Sequence, residues 1–385
     1  MINLKKIKNI NFFPKYHEKS GKKFDFTTIS VFLLVLFLVG FGCLMVYSAS
    51  YYTAEIRYGN QYFFLFKQLL GVALGIFAMI FFTFFDYHLL KKFRHIILAV
   101  CVVLLILVFV PGFGVKSYGA NRWVNFFGIS IQPSEITKFA LVLFLASYLA
   151  DNHEKIKTFK GLLPALAVAG VLCLLVIIEP SMSVTMCLAF LTFFMLIIGG
   201  INKKHTLIFS GIAGACVPLL IFAEPYRMKR LFAFLDPWVS PQGEGFQLIQ
   251  SLYSLGNGGL FGVGLFNSRQ KYLFLPFAES DFIFSIIGEE FGLIGGILLL
   301  TIFAVLVYFL IKIGLNAKDR FGCLLACGVG ILIAVQTLLN VAVVTGSIPP
   351  TGLPLPFISS GGTSVAVFMA GVGVCLNVHR YSKRG

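Results

Sequence analysis

Residues 28–50 read TISVFLLVLFLVGFGCLMVYSAS, an apolar run without a single charge. At ~1.5 Å of rise per residue it makes a helix long enough to cross the ~30 Å hydrocarbon layer of a bilayer. Nine comparable runs follow, near 62–85, 94–111, 134–151, 161–178, 182–200, 204–223, 282–314, 321–345 and 362–380. The 385 residues are 58% hydrophobic and only 12% charged, against about 25% charged in soluble domains. The expected fold is therefore all-α, a polytopic membrane protein of about ten transmembrane helices. Residues 1–27 read as a basic cytoplasmic arm, 28–380 as the ten-span membrane domain and 381–385 as a cytoplasmic tail. The small residues of Tyr47-Ser48-Ala49-Ser50 resemble a signal-peptidase site, but the run before them is too long for a signal peptide, so the first span is expected to be retained.

An even number of spans puts both termini on one side, and basic residues mark the cytoplasmic side. Of the 31 Lys and Arg, 21 fall in the terminal segments and the even-numbered loops, eight fall on the opposite face, and Lys67 and Lys138 lie within spans. Both termini are expected in the cytoplasm, with the chain in the cytoplasmic (inner) membrane. The formal charge of +15 needs no nucleic acid, because basic loops suit an anionic membrane surface. All eight cysteines lie in apolar runs and form no disulfide or zinc framework.

The informative segments face outward. The loop of about 224–281, before the eighth span, contains FQLIQSLYSLGNGGLFGVGLF at 246–266, an apolar and glycine-rich string expected to lie in the interface or re-enter the protein. Residues 346–361 carry no charge and four prolines, Pro349, Pro350, Pro354 and Pro356. Backbone of that kind at membrane depth needs protein walls or water to satisfy it, which implies an outward cavity lined by both loops. All six histidines fall in cytoplasmic segments, so proton transfer in such a cavity would rest on carboxylates. The outward candidates are Glu55, Glu135, Glu179, Glu224, Asp236, Glu244, Glu279 and Asp281, with Glu289 and Glu290 deeper.

Three constellations stand out. Asn121-Arg122-Trp123 is followed by QPSEITK at 132–138, where Pro133 fits a first helical turn, Glu135 complements the helix dipole and Lys138 shares its face. Intramembrane charges usually mark a substrate path; the structural alternative is a simple ion pair, with Arg122 and Trp123 as an interfacial anchor. Next, Arg269-Gln270-Lys271 precedes FAESDFIF at 277–284, where Asp281 stands at a loop-to-helix junction and has a helix N-cap as its structural alternative. Glu289 and Glu290 lie on other faces of that helix and read as buried, hydrogen-bonded packing residues. Last, PFISSGGTS at 356–364 opens the final span, where Ser359, Ser360 and nearby backbone could bind an anion or serve close helix packing.

Taken together these strings resemble the SEDS family (shape, elongation, division, sporulation) across nearly the whole chain. The resemblance rests on ANRWVNFFGISIQPSEITKFALVLFLASYLA from Ala120, FLDPW at 234–238, GFQLIQSLYSLGNGGLFGVGL at 245–265, SDFIFSIIGEEFGLIGG at 280–296 and TGLPLPFISSGGTS at 351–364. FLDPW, SRQK at 268–271 and Gly288-Glu289-Glu290 look more like the FtsW and SpoVE members than the elongation member RodA. The resemblance implies a peptidoglycan glycosyltransferase that polymerises lipid II at the outer leaflet, in division or spore cortex synthesis, with a class B penicillin-binding protein as partner. It places the family's catalytic aspartate on Asp281 and its functional Glu, Lys and Arg-Trp on Glu135, Lys138, Arg122 and Trp123. Two features depart from the common pattern: Glu179-Pro180 is followed by Ser181 where many members have an acid, and Ser360 stands where many have tyrosine.

On this reading Asp281 would deprotonate an acceptor hydroxyl, while Arg122, Lys138, Arg227, Arg269 or Lys271 would neutralise a departing pyrophosphate. The sequence does not choose among these cations. No cofactor is evident, and a divalent cation is left open. A lipid II flippase and a scaffold that recruits a transpeptidase are the alternatives.

Overall fold

The computed structural model describes residues 25–117, 120–126, 129–208, 211, 222 and 225–383. Its long helices are α1 (Phe26–Tyr58), α2 (Phe63–Phe84), α3 (Tyr87–Leu107), α4 (Pro133–Asp151), α5 (Phe159–Ile178) and α6 (Met182–Gly199). Two shorter helices follow, α7 (Pro225–Leu235) and α8 (Phe246–Gly258), and then α9 (Ile283–Leu315), α10 (Arg320–Val344) and α11 (Gly362–Ser382). Eight of the described helices are long and apolar enough to cross a membrane. The expected seventh span, 204–223, lies mostly outside the described residues, as do the 1–24 portion of the basic arm and the last two residues of the tail.

Helix ends follow local chemistry. Asp25, Thr158 and Asp319 each accept a backbone N–H as N-caps of α1, α5 and α10. The third helix begins at Tyr87, several residues before the run expected from hydropathy, because Asp86 accepts the His88 N–H and Asp151 neutralises Lys91 and Arg94 in the first turns. Asp25 also meets His379 and Lys383, so the start of α1 and the end of α11 lie at one end of the bundle.

The centre of the bundle is formed by α4 and α10, each 78% buried over its apolar window, whereas α2 and α5 are 22% and 28% buried and face outward. Two features of the end away from the termini were not legible as helix. Between α3 and α4 lies a three-stranded antiparallel sheet of β1 (Gly114–Ser117), β2 (Ala120–Phe126) and β3 (Ile129–Ile131). Val124 opposes Ile131 and Trp123 opposes Val115, which places Arg122 and Trp123 on a strand rather than in an irregular turn.

The second is a break in α9 at Gly292, where φ is +68°. The carbonyls of Glu289 and Glu290 are freed by the break and accept the N–H groups of Val263 and Gly264 at 2.9 and 3.0 Å. In return Leu293 and Ile294 donate to the carbonyls of Gly259 and Leu260. The glycine-rich string thus enters the protein and exchanges backbone bonds with a transmembrane helix, satisfying groups that lipid could not. A Cβ at Gly262 would lie 2.2 Å from the Glu290 carbonyl, so only glycine lets the two backbones approach this closely.

Candidate functional site

A cavity of about 740 Å³ opens at the end of the bundle away from the termini, within the ~300–1,000 Å³ typical of small-molecule sites. Its walls come from β2, the α5–α6 turn, α7, the segment leading into α9, and the proline-rich loop before α11. One wall is apolar, with Met182, Met186, Leu231 and Phe234; among the lining residues Asp281 is the one carboxylate, and Arg122 and Arg230 are the cations.

Asp281 is placed by main-chain contacts rather than by capping. The N-cap position of α9 belongs to Phe282 and carries no side-chain cap bond, so Asp281 leaves the helix start uncapped. Its carboxylate makes no hydrogen bond to a described residue and points into the cavity. Burial raises its pKa from 3.8 to about 6, with Glu279 and Glu135 pushing the same way and Arg122 and Arg230 pulling back. A carboxyl so poised is half ionised near pH 6 and largely ionised at neutral pH, where it can accept a proton as a general base.

Arg122 reaches across the mouth to the α5–α6 turn, donating to the carbonyls of Glu179 at 3.3 Å and Pro180 at 2.6 Å. The Glu179 carboxylate itself is fully buried with no hydrogen-bond partner among the described residues, and burial pushes it up to about 8 against the pull of Arg122. Trp123 lines the cavity beside Arg122. Arg230 donates to the Pro350 carbonyl at 3.0 Å and thereby ties α7 to the proline-rich loop.

The expected site residues separate into two groups. Asp281, Arg122, Trp123 and Ser360 line the cavity. Glu135 and Lys138 lie behind its wall, 1% and 0% exposed and 2.7 Å apart. Lys138 also donates to Gln336, and Ser364 donates to Glu135 at 2.8 Å. Their contact with the cavity is indirect, through Ser364 and through Pro354, whose carbonyl accepts from Gln336. Ser359 is 1% exposed, and its hydroxyl is taken up by the Ser280 carbonyl and the Leu355 N–H, so the structure gives it a backbone to hold rather than an anion.

Lys271 stands away from the cavity, 1% exposed in an ion pair with Glu290 at 3.0 Å and donating to the Phe266 carbonyl and Ser48. A buried, paired ammonium at this depth holds the loop to α9 and α1 instead of facing a ligand. Arg269 is exposed and not among the lining residues; its backbone N–H donates to Glu289. Glu289 also accepts from Ser254 and Ser268, as expected of a packing residue. The Arg227 side chain lies outside the described residues. Arg230, Gln132 and Gln247 line the cavity without having been singled out. The signal for Arg230 was present, because it stands three residues after Arg227 on the same helix face. Among the described residues no group of three or more His, Cys, Asp or Glu could hold a metal ion.

The fold and this site define a polytopic membrane protein with one acidic and two basic groups facing a cavity at one end of its helices. The sequence profile of the FtsW/RodA/SpoVE family, described as cell cycle proteins, matches residues 29–384, and the chain belongs to that family. It is 40% identical to stage V sporulation protein E of Bacillus subtilis (strain 168), over 91% of this chain and 96% of that protein. It is 39% identical to a probable peptidoglycan glycosyltransferase FtsW of Geobacter sp. (strain M18), over 90% and 95%. A solved peptidoglycan synthase complex, studied for how polymerization and crosslinking are coordinated, has a chain that superposes with a TM-score of 0.75 at 26% identity, covering 93% of this chain and 98% of that one. The rod shape determining protein RodA of Thermus thermophilus shares the fold with a TM-score of 0.69 at 23% identity, covering 95% and 99%.

Proposed function

We propose that this protein is a peptidoglycan glycosyltransferase that polymerises lipid II into glycan strands. The observation that carries the reading is the pairing of one carboxylate, Asp281, with two guanidinium groups, Arg122 and Arg230, on the walls of one cavity. The names of the relatives and the family membership support it.

Asp281 accepts the proton of the 4-hydroxyl on the acceptor's N-acetylglucosamine. The freed oxygen attacks the anomeric carbon of the second lipid-linked chain and forms the new glycosidic bond with inversion. The bond from that carbon to the polyprenyl pyrophosphate breaks, and the charge left on the pyrophosphate is met by Arg122 and Arg230. Ser360, at the start of α11 beside the same cavity, offers a further donor to that anion. The apolar wall of Met182, Met186, Leu231 and Phe234 suits the first part of a lipid chain entering from the bilayer.

The cavity end faces the outside of the cytoplasmic membrane and the termini face the cytoplasm, in keeping with the bias of basic residues. The crosslinking partner is a class B penicillin-binding protein, supported by the polymerization and crosslinking complex to which the fold is similar. The cellular task is division or spore cortex synthesis. Purified protein with lipid II should yield glycan polymer, and the Asp281→Asn variant should lose at least ~10²-fold of that activity, the usual contribution of a positioned acid or base. Movement of lipid II between leaflets without polymer would instead make the protein a transporter.

A further inference from the structure

Three consecutive carbonyls lead the chain into α9, and each is held by a different donor from α10 or the proline-rich loop. The Ser360 N–H donates to the carbonyl of Glu279 at 2.9 Å. The Ser359 hydroxyl donates to Ser280 at 2.6 Å, and the Asn340 amide donates to Asp281 at 2.9 Å. The same amide nitrogen of Asn340 also donates to the Leu353 carbonyl at 2.7 Å. Asn340 is 1% exposed in α10, and one turn earlier Gln336 holds the next carbonyl of the loop, Pro354, at 2.8 Å.

The consequence falls on the residue beside Leu353. Gly352 lies against the Asp281 side chain so closely that a Cβ there would be 2.7 Å from Oδ2. The bare backbone at 352 is therefore one wall of the place the carboxylate occupies. Asn340 joins that wall to the main chain of Asp281 through a single amide group, while standing outside the cavity lining itself.

We propose that Asn340 is a positioning residue for Asp281: by tying the carbonyls of Asp281 and Leu353 together it keeps the Gly352 backbone against the carboxylate and fixes its aim and its shielding from water. The inference rests on the reading of Asp281 as the base. Among the described residues, Arg122, Glu279, Arg230 and Glu135 are the charged groups acting most on Asp281, and an exchange at 340 removes none of them. A moved pH profile in such a variant therefore reports a change in the surroundings of the carboxylate and not the loss of a charged neighbour.

The test compares Asn340→Ala, Gly352→Ala and Asp281→Asn in lipid II polymerisation between pH 5 and 8.5, beside thermal unfolding of each purified protein. Misplacement of a catalytic group by ~1 Å costs on the order of 10²-fold, so Asn340→Ala is expected to lower kcat at least ~10-fold with KM within ~2-fold. Its acidic limb should move to lower pH, because water reaching Asp281 returns the carboxyl toward its ordinary range. A merely structural role would lower the unfolding temperature and leave the limb in place. Gly352→Ala sits at the cavity surface with no left-handed backbone demand, and its methyl should displace the carboxylate and lower kcat at least ~10-fold even if Asn340→Ala is too unstable to purify. An inactive Asp281→Asn together with Gly352→Ala at wild-type kcat, or with a folded Asn340→Ala whose kcat and acidic limb are unchanged, overturns the inference. An active Asp281→Asn removes the base reading, and the positioning role falls with it.

Discussion

Replacing Asp281 by Asn should make the protein more stable while it abolishes polymerisation, and the size of the gain follows from where the carboxyl sits. Burial raises its pKa from 3.8 to about 6, so the folded protein holds the proton more tightly than the unfolded chain does. Below pH 4 the group is protonated in both states and costs nothing. As pH rises from about 4 to about 6 the unfolded chain has released the proton and the folded one has not, so stability falls across that window and stays lowered above pH 7. A difference of ~2 pH units corresponds to ~3 kcal/mol, and because the carboxylate is partly open to a cavity that admits water, ~1–3 kcal/mol is the expected cost at pH 8. Roughly half of it should be present at pH 5. Asn removes the charge without changing the shape, so the variant's advantage should be larger at pH 8 than at pH 5. Thermal unfolding of the detergent-solubilised protein at both pH values measures it. A helix-capping aspartate predicts the reverse pattern, with Asn neutral and Ala destabilised. Equal unfolding temperatures for wild type and Asn at pH 8, or a gap that does not change with pH, would refute the burial argument.

Lys138→Met should cost ~3–5 kcal/mol, because it leaves Glu135 buried with Ser364 as its remaining partner; membrane levels and unfolding temperature should both fall. A second exchange, Glu135→Gln, should recover much of that loss, and normal levels with lost polymerisation in Lys138→Met alone would instead place the lysine on the substrate. Reporters at either terminus and within 152–158 should read as cytoplasmic and one near Gly243 as external. The opposite result at either place would turn the cavity inward.

How far the sequence could be read depended on the range of the physics involved. Hydropathy located α1 and α9 to within a few residues of their apolar cores, because each membrane crossing must satisfy the same ~20-residue requirement on its own. It underestimated α1, whose 33 residues continue to Tyr58 through Glu55 and Arg57, since a helix can leave the hydrocarbon without ending. The sheet carrying Arg122 went unseen because strands of four, seven and three residues leave a short alternation that nearby apolar runs obscure. The glycine string at 259–264 was recognisable as backbone that must enter the protein, but its partner, the break at Gly292, lay thirty residues away inside an apparently continuous apolar run.

Composition and pattern alone determined that this chain crosses a membrane many times, that basic residues gather on the side of its termini, that the loops on the opposite side are apolar and must be sheltered, and that carboxylates rather than histidines are available there. Those properties are sums over local residues, and the bilayer reads them locally. Only the tertiary structure decided which charges face the cavity and which face each other. Lys271 and Arg230 are both cations of the same long loop, yet Glu290 holds one in the packed interior while a proline-loop carbonyl holds the other at the cavity wall. Asp281 and Asn340 likewise come from separate stretches of chain that meet at the Asp281 carbonyl, and Arg122 is held by the carbonyls of Glu179 and Pro180; in each case the acceptor is a main-chain carbonyl that every residue type carries. A pairing made through groups common to nearly every residue leaves no trace in the side-chain pattern, so it appears when the helices pack and not before.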